Sequence, residues 1–280
     1  MFGRIGYTWE VMGASWRVLK QEKMLLLFPI LSGIACMLVT ASFIVPIVAS
    51  DAWMPPDPDQ ATPIQQAVYY GVAFLFYFCN YFVITFFNSA VVGAAVMRLS
   101  GQDPTLGDAL GSATRRLPQI FGWALVAATV GIILRVIEDR SEKVGQIVAA
   151  LLGTAWNITT FLVVPVLVIE GKGPIEAFKT STGLLRKTWG QQLAGNFGFG
   201  IIFFLLMLPA AGIVMAAFAF APPEVGLVVL ALAVLYVLVM LVVQSALQAI
   251  FQAAVYVYAS HGTEPEAFGH GVLSHAMARR

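Results

Sequence analysis

The stretch Val225-Gly-Leu-Val-Val-Leu-Ala-Leu-Ala-Val-Leu-Tyr-Val-Leu-Val-Met-Leu-Val-Val243 holds nineteen residues with no charge and no strong polar group. A hydrocarbon core of about 30 Å needs roughly 20 apolar residues in a helix. This run meets that need on every face, so it reads as a membrane span and not as one side of a soluble helix. The apolar character continues to about residue 259. Five further stretches qualify on the same grounds, at roughly 24–49, 66–97, 119–137, 144–169 and 193–220. The expected fold class is all-α integral membrane, with about six transmembrane helices. Pro29, Pro46, Pro165 and Pro209 fall within or near the ends of these runs. In a membrane helix proline is read as a kink before a break.

Composition agrees. Hydrophobic residues make up 59% of the 280-residue chain and charged residues 11%, against about 25% charged in a soluble domain. A net charge of +1 offers no field to recruit nucleic acid. Cys36 and Cys79 lie inside apolar runs without metal-ligand or CxxC spacing, so they read as small packing residues. The first apolar run follows a flank containing Glu10 and Glu22 and is longer than a signal h-region. It is expected to be a retained span.

Positive charges sort by side. With six spans both termini share one face, and thirteen of the sixteen Lys and Arg residues fall there. Arg17, Lys20, Arg98, Arg116, Lys172 and Arg186 are among them. Only Arg135, Arg140 and Lys143 remain opposite. The positive-inside rule then expects both termini in the cytoplasm. The first outer loop, Asp51 to Asp59, has three acids, no Lys or Arg, and Trp53 at interfacial depth. The loop at 221–224 is short enough to join spans five and six in a tight hairpin.

Three places in the chain repeat a pattern. Gly101-Gln-Asp-Pro104 precedes Asp108-Ala-Leu110, Gly171-Lys-Gly-Pro174 precedes Glu176-Ala-Phe178, and Gly262-Thr-Glu-Pro265 precedes Glu266-Ala-Phe268. A glycine turn, a proline and an acid in the first turn mark a helix stop followed by a helix start. The segments that follow are amphipathic. Ile175, Phe178, Thr182, Leu185 and Trp189 recur at spacings of three and four, as do Leu106, Leu110, Ala113 and Leu117. Ile5, Trp9, Met12, Trp16 and Leu19 form the same stripe at the N-terminus. Such segments are expected to lie in the membrane interface or to pack on the bundle as linker helices. The chain is thus expected to be one transmembrane domain, 1–280, with repeat units of interfacial helix plus hairpin at roughly 1–100, 101–171 and 172–261. A cytoplasmic tail, 262–280, carries a partial fourth interfacial helix from about Glu264 to Met277.

The stretch from Pro165 through Glu170-Gly-Lys-Gly-Pro174 to Ser181, running on to Leu185-Arg-Lys-Thr-Trp189, resembles the membrane domains of a loose superfamily of bacterial and archaeal polytopic proteins. That group includes the membrane domain found beside glycerophosphodiester phosphodiesterases and several uncharacterised six-helix families. Ser15-Trp-Arg-Val-Leu-Lys-Gln-Glu-Lys-Met-Leu-Leu-Leu-Phe-Pro29 is similar to the opening of one such uncharacterised family. The resemblance implies a six-helix fold built from repeats, and no activity. In the phosphodiesterase proteins the chemistry belongs to a separate soluble domain, which has no counterpart in this sequence.

The residues themselves suggest little catalysis. All fifteen acids lie in loops or at span ends, and no ionisable group sits near the middle of a span. Such groups usually mark proton relays or ion paths, so a carboxylate-based carrier and an intramembrane aspartyl or metal-dependent protease are disfavoured. His261, His270 and His275 sit near Glu264 and Glu266 in the tail, but no convergent ligand set is evident and they read as polar tail residues. No Walker loop, GxSxG elbow, HExxH or dinucleotide fingerprint occurs, and no cofactor is implied. The polar residues at membrane depth are amides and hydroxyls, concentrated in spans two, four and six. Asn80 and Asn88, Asn157, and the i, i+4, i+8 stripe Gln244, Gln248, Gln252 form a candidate polar seam. It serves either as interhelical glue or as a path for water, a lipid headgroup or a small polar solute. The expected role is a non-catalytic scaffold, assembly partner or lipid-contacting subunit of a membrane complex. A channel or carrier using the seam is the alternative. Expected partners are membrane lipids, with a membrane protein or a second copy of the chain also possible.

Overall fold

The computed structural model describes residues 2–49, 62–139, 144–269 and Leu273. The acidic loop with Trp53, the cations Arg140 and Lys143, and His270 and His275 lie outside the described residues. Among the described residues every regular element is helical. In order they are α1 (Phe2–Gln21), a 3₁₀ turn (Lys23–Leu26), α2 (Leu27–Ala49), α3 (Pro63–Leu99), α4 (Leu106–Thr114) and α5 (Leu117–Asp139). There follow α6 (Val144–Thr159), the single turn α7 (Val163–Pro165), a π-helical turn (Val166–Glu170), α8 (Pro174–Phe220), α9 (Pro223–His261) and a 3₁₀ turn (Glu266–Phe268). Among the described residues six stretches are long and apolar enough to cross a membrane: Lys23–Pro46, Pro63–Leu99, Leu117–Glu138, Gly145–Glu170, Gly198–Phe220 and Pro223–His261. They match the six runs read from the sequence, and the chain is an all-α integral membrane protein.

The three expected helix stops are real turns. Gly101, Gly171 and Gly262 have φ of +80°, +67° and +73°, left-handed values that only glycine adopts at little cost. New helical turns begin at Leu106, Pro174 and Glu266 after them. The start of α4 is a capping box, in which Thr105 and Asp108 each bond the other's backbone amide. Hydrogen bonds from Thr105 hold the Asp108 carboxyl below its ordinary range, helped by the charge of Arg115. Pro46 and Pro209 sit inside continuous helices.

Three expectations change. The segment after Gly171 and span five belong to one helix, α8, of 47 residues. No proline interrupts residues 186–197, and glycines alone did not stop the helix. Second, the tail helix expected from Glu264 is only a 3₁₀ turn in its described part, ended by Gly269 at φ +77°. Phe268 and Leu273 are wholly buried. Third, span four is interrupted between Thr159 and Val163.

The chain divides into two compact units. One comprises Met1–Pro29, Ala95–Pro104 and Arg186–Arg280, so it cuts across the expected repeat boundaries. Its core is α1 packed on α9, with Val11, Ala14, Val18, Phe28 and Val255 wholly buried and Phe199 stacked on Phe251 at 5.7 Å. Arg98 pairs with Glu22 at 3.4 Å and with Asp103. The other unit comprises Ile30–Ala94 and Thr105–Leu185. It is built on the α5–α6 pair, with Phe78 meeting Phe121 edge-on at 5.0 Å.

The amphipathic segments pack on a different face from the one their large residues suggest. In α1, Met12 and Leu19 of the expected stripe are buried, but Trp9 and Trp16 are 55% and 42% exposed. The buried face includes Ala14 and Ser15. In α4 it is Ala109 and Ala113, while Leu106 and, just beyond the helix, Leu117 are exposed. At the start of α8 it is Ala177 and Ser181, while Ile175 is exposed. Small side chains allow helices to approach closely where lipid provides no hydrophobic drive for association. Trp9, Trp16, Leu106 and Ile175 are left outward, while Val11, Met12, Val18 and Leu19 join the small residues on the packed face of α1.

Candidate functional site

The interruption of span four is the least regular backbone at membrane depth among the described residues. Its causes are local. Pro165 has no N–H for the carbonyl of Phe161, and its ring crowds that carbonyl. Just upstream, the hydroxyls of Thr159 and Thr160 donate back to the carbonyls of Ala155 and Trp156, both at 2.8 Å, a pattern that bends helices. The chain therefore leaves α6 at Thr159 and resumes as α7 and the π-helical turn. Single π turns inside α-helices frequently accompany functional sites.

Ser181, on the first turns of α8, closes the gap. Its hydroxyl donates to the Thr159 carbonyl at 2.7 Å and accepts from the Leu162 N–H at 3.2 Å. Ser181 is 1% exposed and Leu162 fully buried. One hydroxyl thus serves a donor and an acceptor that the helix has released, in a place where water is scarce. Aromatic rings fix the neighbouring helix faces. Trp156 lies between Trp123, at 5.5 Å and 5° to its plane, and Phe178, at 5.8 Å and 20°.

The far end of span four is held by Arg116 of the α4–α5 connection and Gln119 on the first turn of α5. Arg116 Nε donates to the Val168 carbonyl at 3.1 Å, and Gln119 Nε2 to the Gly171 carbonyl at 3.4 Å. The Arg116 guanidinium lies against Gly171, where a β-carbon would collide with it. A cation at a helix C-terminus also meets the negative end of the helix dipole. Gln119 Oε1 is buried without a hydrogen-bond partner. Close by in sequence, Glu170 and Lys172 pair at 2.7 Å, and this contact raises the Lys172 ammonium pKa above its ordinary value. Lys172 also donates to Thr180 Oγ1 at 3.1 Å. Pro174 seats on Gly122, where a β-carbon would fall 2.7 Å from the ring.

The six seam residues divide between the units. Asn80, Asn88 and Asn157 belong to the unit that contains the interruption, and Gln244, Gln248 and Gln252 to the other. Asn80 and Asn88 stand two turns apart on α3, and the Asn80 amide donates to the Phe76 carbonyl of its own helix at 3.0 Å. Asn88 is half-buried and Asn157 exposed. The glutamine stripe deepens along α9: Gln244 and Gln248 are half-buried, and Gln252 is 9% exposed. Sequence reasoning assigned no role to Ser181, Arg116 or Gln119. The available signal was the Thr159-Thr160 pair five residues before Pro165, which marks a break needing a partner. Among the described residues no group of three or more His, Cys, Asp or Glu is placed to hold a metal ion.

The six apolar helices, in a fold whose described residues form only helical elements, define a polytopic membrane protein. The sequence model of the Family of unknown function (DUF6159) matches residues 67–266, which is 200 of the 280 residues, and the chain belongs to that family. The match carries no link to the phosphodiesterase-associated membrane domains. No curated protein matches the chain.

The Ser181 bridge gives a direct expectation. Ser181→Ala leaves the Leu162 N–H and the Thr159 carbonyl buried without that partner, at a cost of about 1–3 kcal/mol. Thermal unfolding in detergent should show a clear loss for Ser181→Ala and little for Thr182→Ala, whose hydroxyl bonds only its own helix at Lys179. Equal stability of the two variants would remove the bridge from the account.

Proposed function

We infer that the chain is a non-catalytic membrane protein, acting as an assembly partner or lipid-contacting subunit of a membrane complex. The observation that supports this most is the α8–α9 hairpin. In the most apolar windows of its two spans only 11% and 6% of residues are buried. Leu227, Val228, Leu230, Leu232, Val234 and Leu235 follow one another round α9, and all are exposed. The rest of the circumference is a narrow stripe, with Gly226 buried and Val229, Ala233, Val237 and Met240 half-buried, so most of the helix surface is left uncovered. On α8, Gly212 and Ala216 lie one turn apart and are also exposed. Small residues at this spacing are the kind through which membrane helices approach each other. The charge bias of the sequence favours both termini on the cytoplasmic side of a bacterial or archaeal cell membrane.

The test is gentle purification from its own membrane followed by native mass spectrometry. A specific protein or a defined set of lipids is expected to remain bound. Recovery as a bare monomer contradicts the reading.

A second reading, a carrier or channel for a small polar solute, draws support from the interrupted fourth span. Broken membrane helices often line substrate sites in transporters. On this reading the Gln244, Gln248 and Gln252 stripe of α9 lines the path. Replacing Gln244, Gln248 and Gln252 together by leucine would then abolish solute flux in proteoliposomes while the protein remains folded. Unchanged flux would remove the path from consideration.

A further inference from the structure

Helix α1 has two faces of different chemistry. One is packed on α9, with Val11, Ala14, Ser15 and Val18 at 0% exposure. The other carries Trp9, Gly13, Trp16 and Lys20, spaced i, i+4, i+7 and i+11 and therefore in one line. All four are exposed. The two indoles are separated by ~10.5 Å along the axis. Between them Gly13 leaves bare backbone, and no atom lies within 4 Å of where its β-carbon would stand. The result is an open notch with an aromatic wall at each end.

The chain sets this face at the membrane surface. Only Glu22 separates α1 from the Lys23–Leu26 turn, and that turn enters α2, the first span, directly. Leu25 within it is wholly buried. Tryptophan is enriched at this level, where its ring is shared between acyl chain and headgroup. The charges here are mostly positive. Lys20 Nζ stands 5.7 Å from the centre of the Trp16 ring, and Arg17 and Lys23 are exposed beside it. Arg17 also touches the Ala267 carbonyl at 3.4 Å. Glu10 is the only acid within α1, and Glu22 is taken up by Arg98 at 3.4 Å.

We propose that this outer face of α1 is a binding surface for anionic phospholipid, with Trp9 and Trp16 seated among the headgroups and Lys20, Arg17 and Lys23 facing the lipid phosphates. The proposal rests on the lipid-contacting reading above and names the lipid class and the residues. A zwitterionic headgroup brings its own ammonium to the same place and gains less from these cations. Basic residues next to a membrane span are the recognised means of favouring anionic lipid.

The test uses the full chain in bilayers that contain brominated phosphatidylglycerol or brominated phosphatidylcholine, with tryptophan fluorescence as the readout. Phosphatidylglycerol should quench more strongly, and the difference should vanish in a Trp9→Phe/Trp16→Phe variant, whose other tryptophans report that the fold survives. Lys20→Gln and Lys23→Gln should lower the preference by about fivefold for each cation removed, whereas Lys20→Arg should retain it. Equal quenching by the two lipids overturns the proposal but leaves the lipid-contacting reading standing. Indoles that neither lipid reaches would mean that a protein or a second copy covers the face, and that also overturns it.

Discussion

In a lipid bilayer the backbone has no water to turn to. Each N–H and C=O within the hydrocarbon must find a partner in the protein, and an unpaired group costs several kcal/mol. The six spans satisfy that requirement by being helical. Where span four departs from helix, between Thr159 and Val163, the requirement passes to one side chain. Ser181 supplies an acceptor to Leu162 and a donor to Thr159. Arg116 and Gln119 do similar work at the carbonyl end of the same span. The region around span four is thus held by a few polar groups whose partners are backbone atoms.

A second constraint shapes the surface helices. Lipid gives apolar side chains no reason to hide from it, so close helix contact depends on shape. The packed faces of α1, α4 and the start of α8 accordingly include Ala14 and Ser15, Ala109 and Ala113, and Ala177 and Ser181. Trp9, Trp16, Leu106 and Ile175 are left outward. These segments are packed on one side and carry exposed large apolar side chains on the other, so the packing alternative posed by the sequence is met.

The sequence made the spans legible because length and apolar content alone decide them. It also made the turns at Gly101, Gly171 and Gly262 legible, since each pairs a glycine with a following proline and acid. It misjudged the packed face of α1, because a stripe read from large residues overlooks the small ones that permit contact. It also split α8, because an amphipathic helix through Trp189 and an apolar span from about residue 193 read as two elements, although no proline between them stops a helix. The interruption of span four was only half visible. Pro165 was noted, but the need for Ser181 depends on a tertiary contact across nineteen residues. The amides Asn80, Asn88, Asn157, Gln244, Gln248 and Gln252 could be found by type and spacing. Whether they join in one path is a matter of tertiary arrangement that periodicity does not carry.

The broken fourth span is sealed from within by the Ser181 hydroxyl. The most direct measurement is amide hydrogen exchange at Thr160–Leu162 in lipid nanodiscs. The Leu162 amide is expected to exchange as slowly as the helical amides of α5, despite its non-helical setting. Exchange at the rate of the exposed turn at Gly101–Gln102 would contradict it.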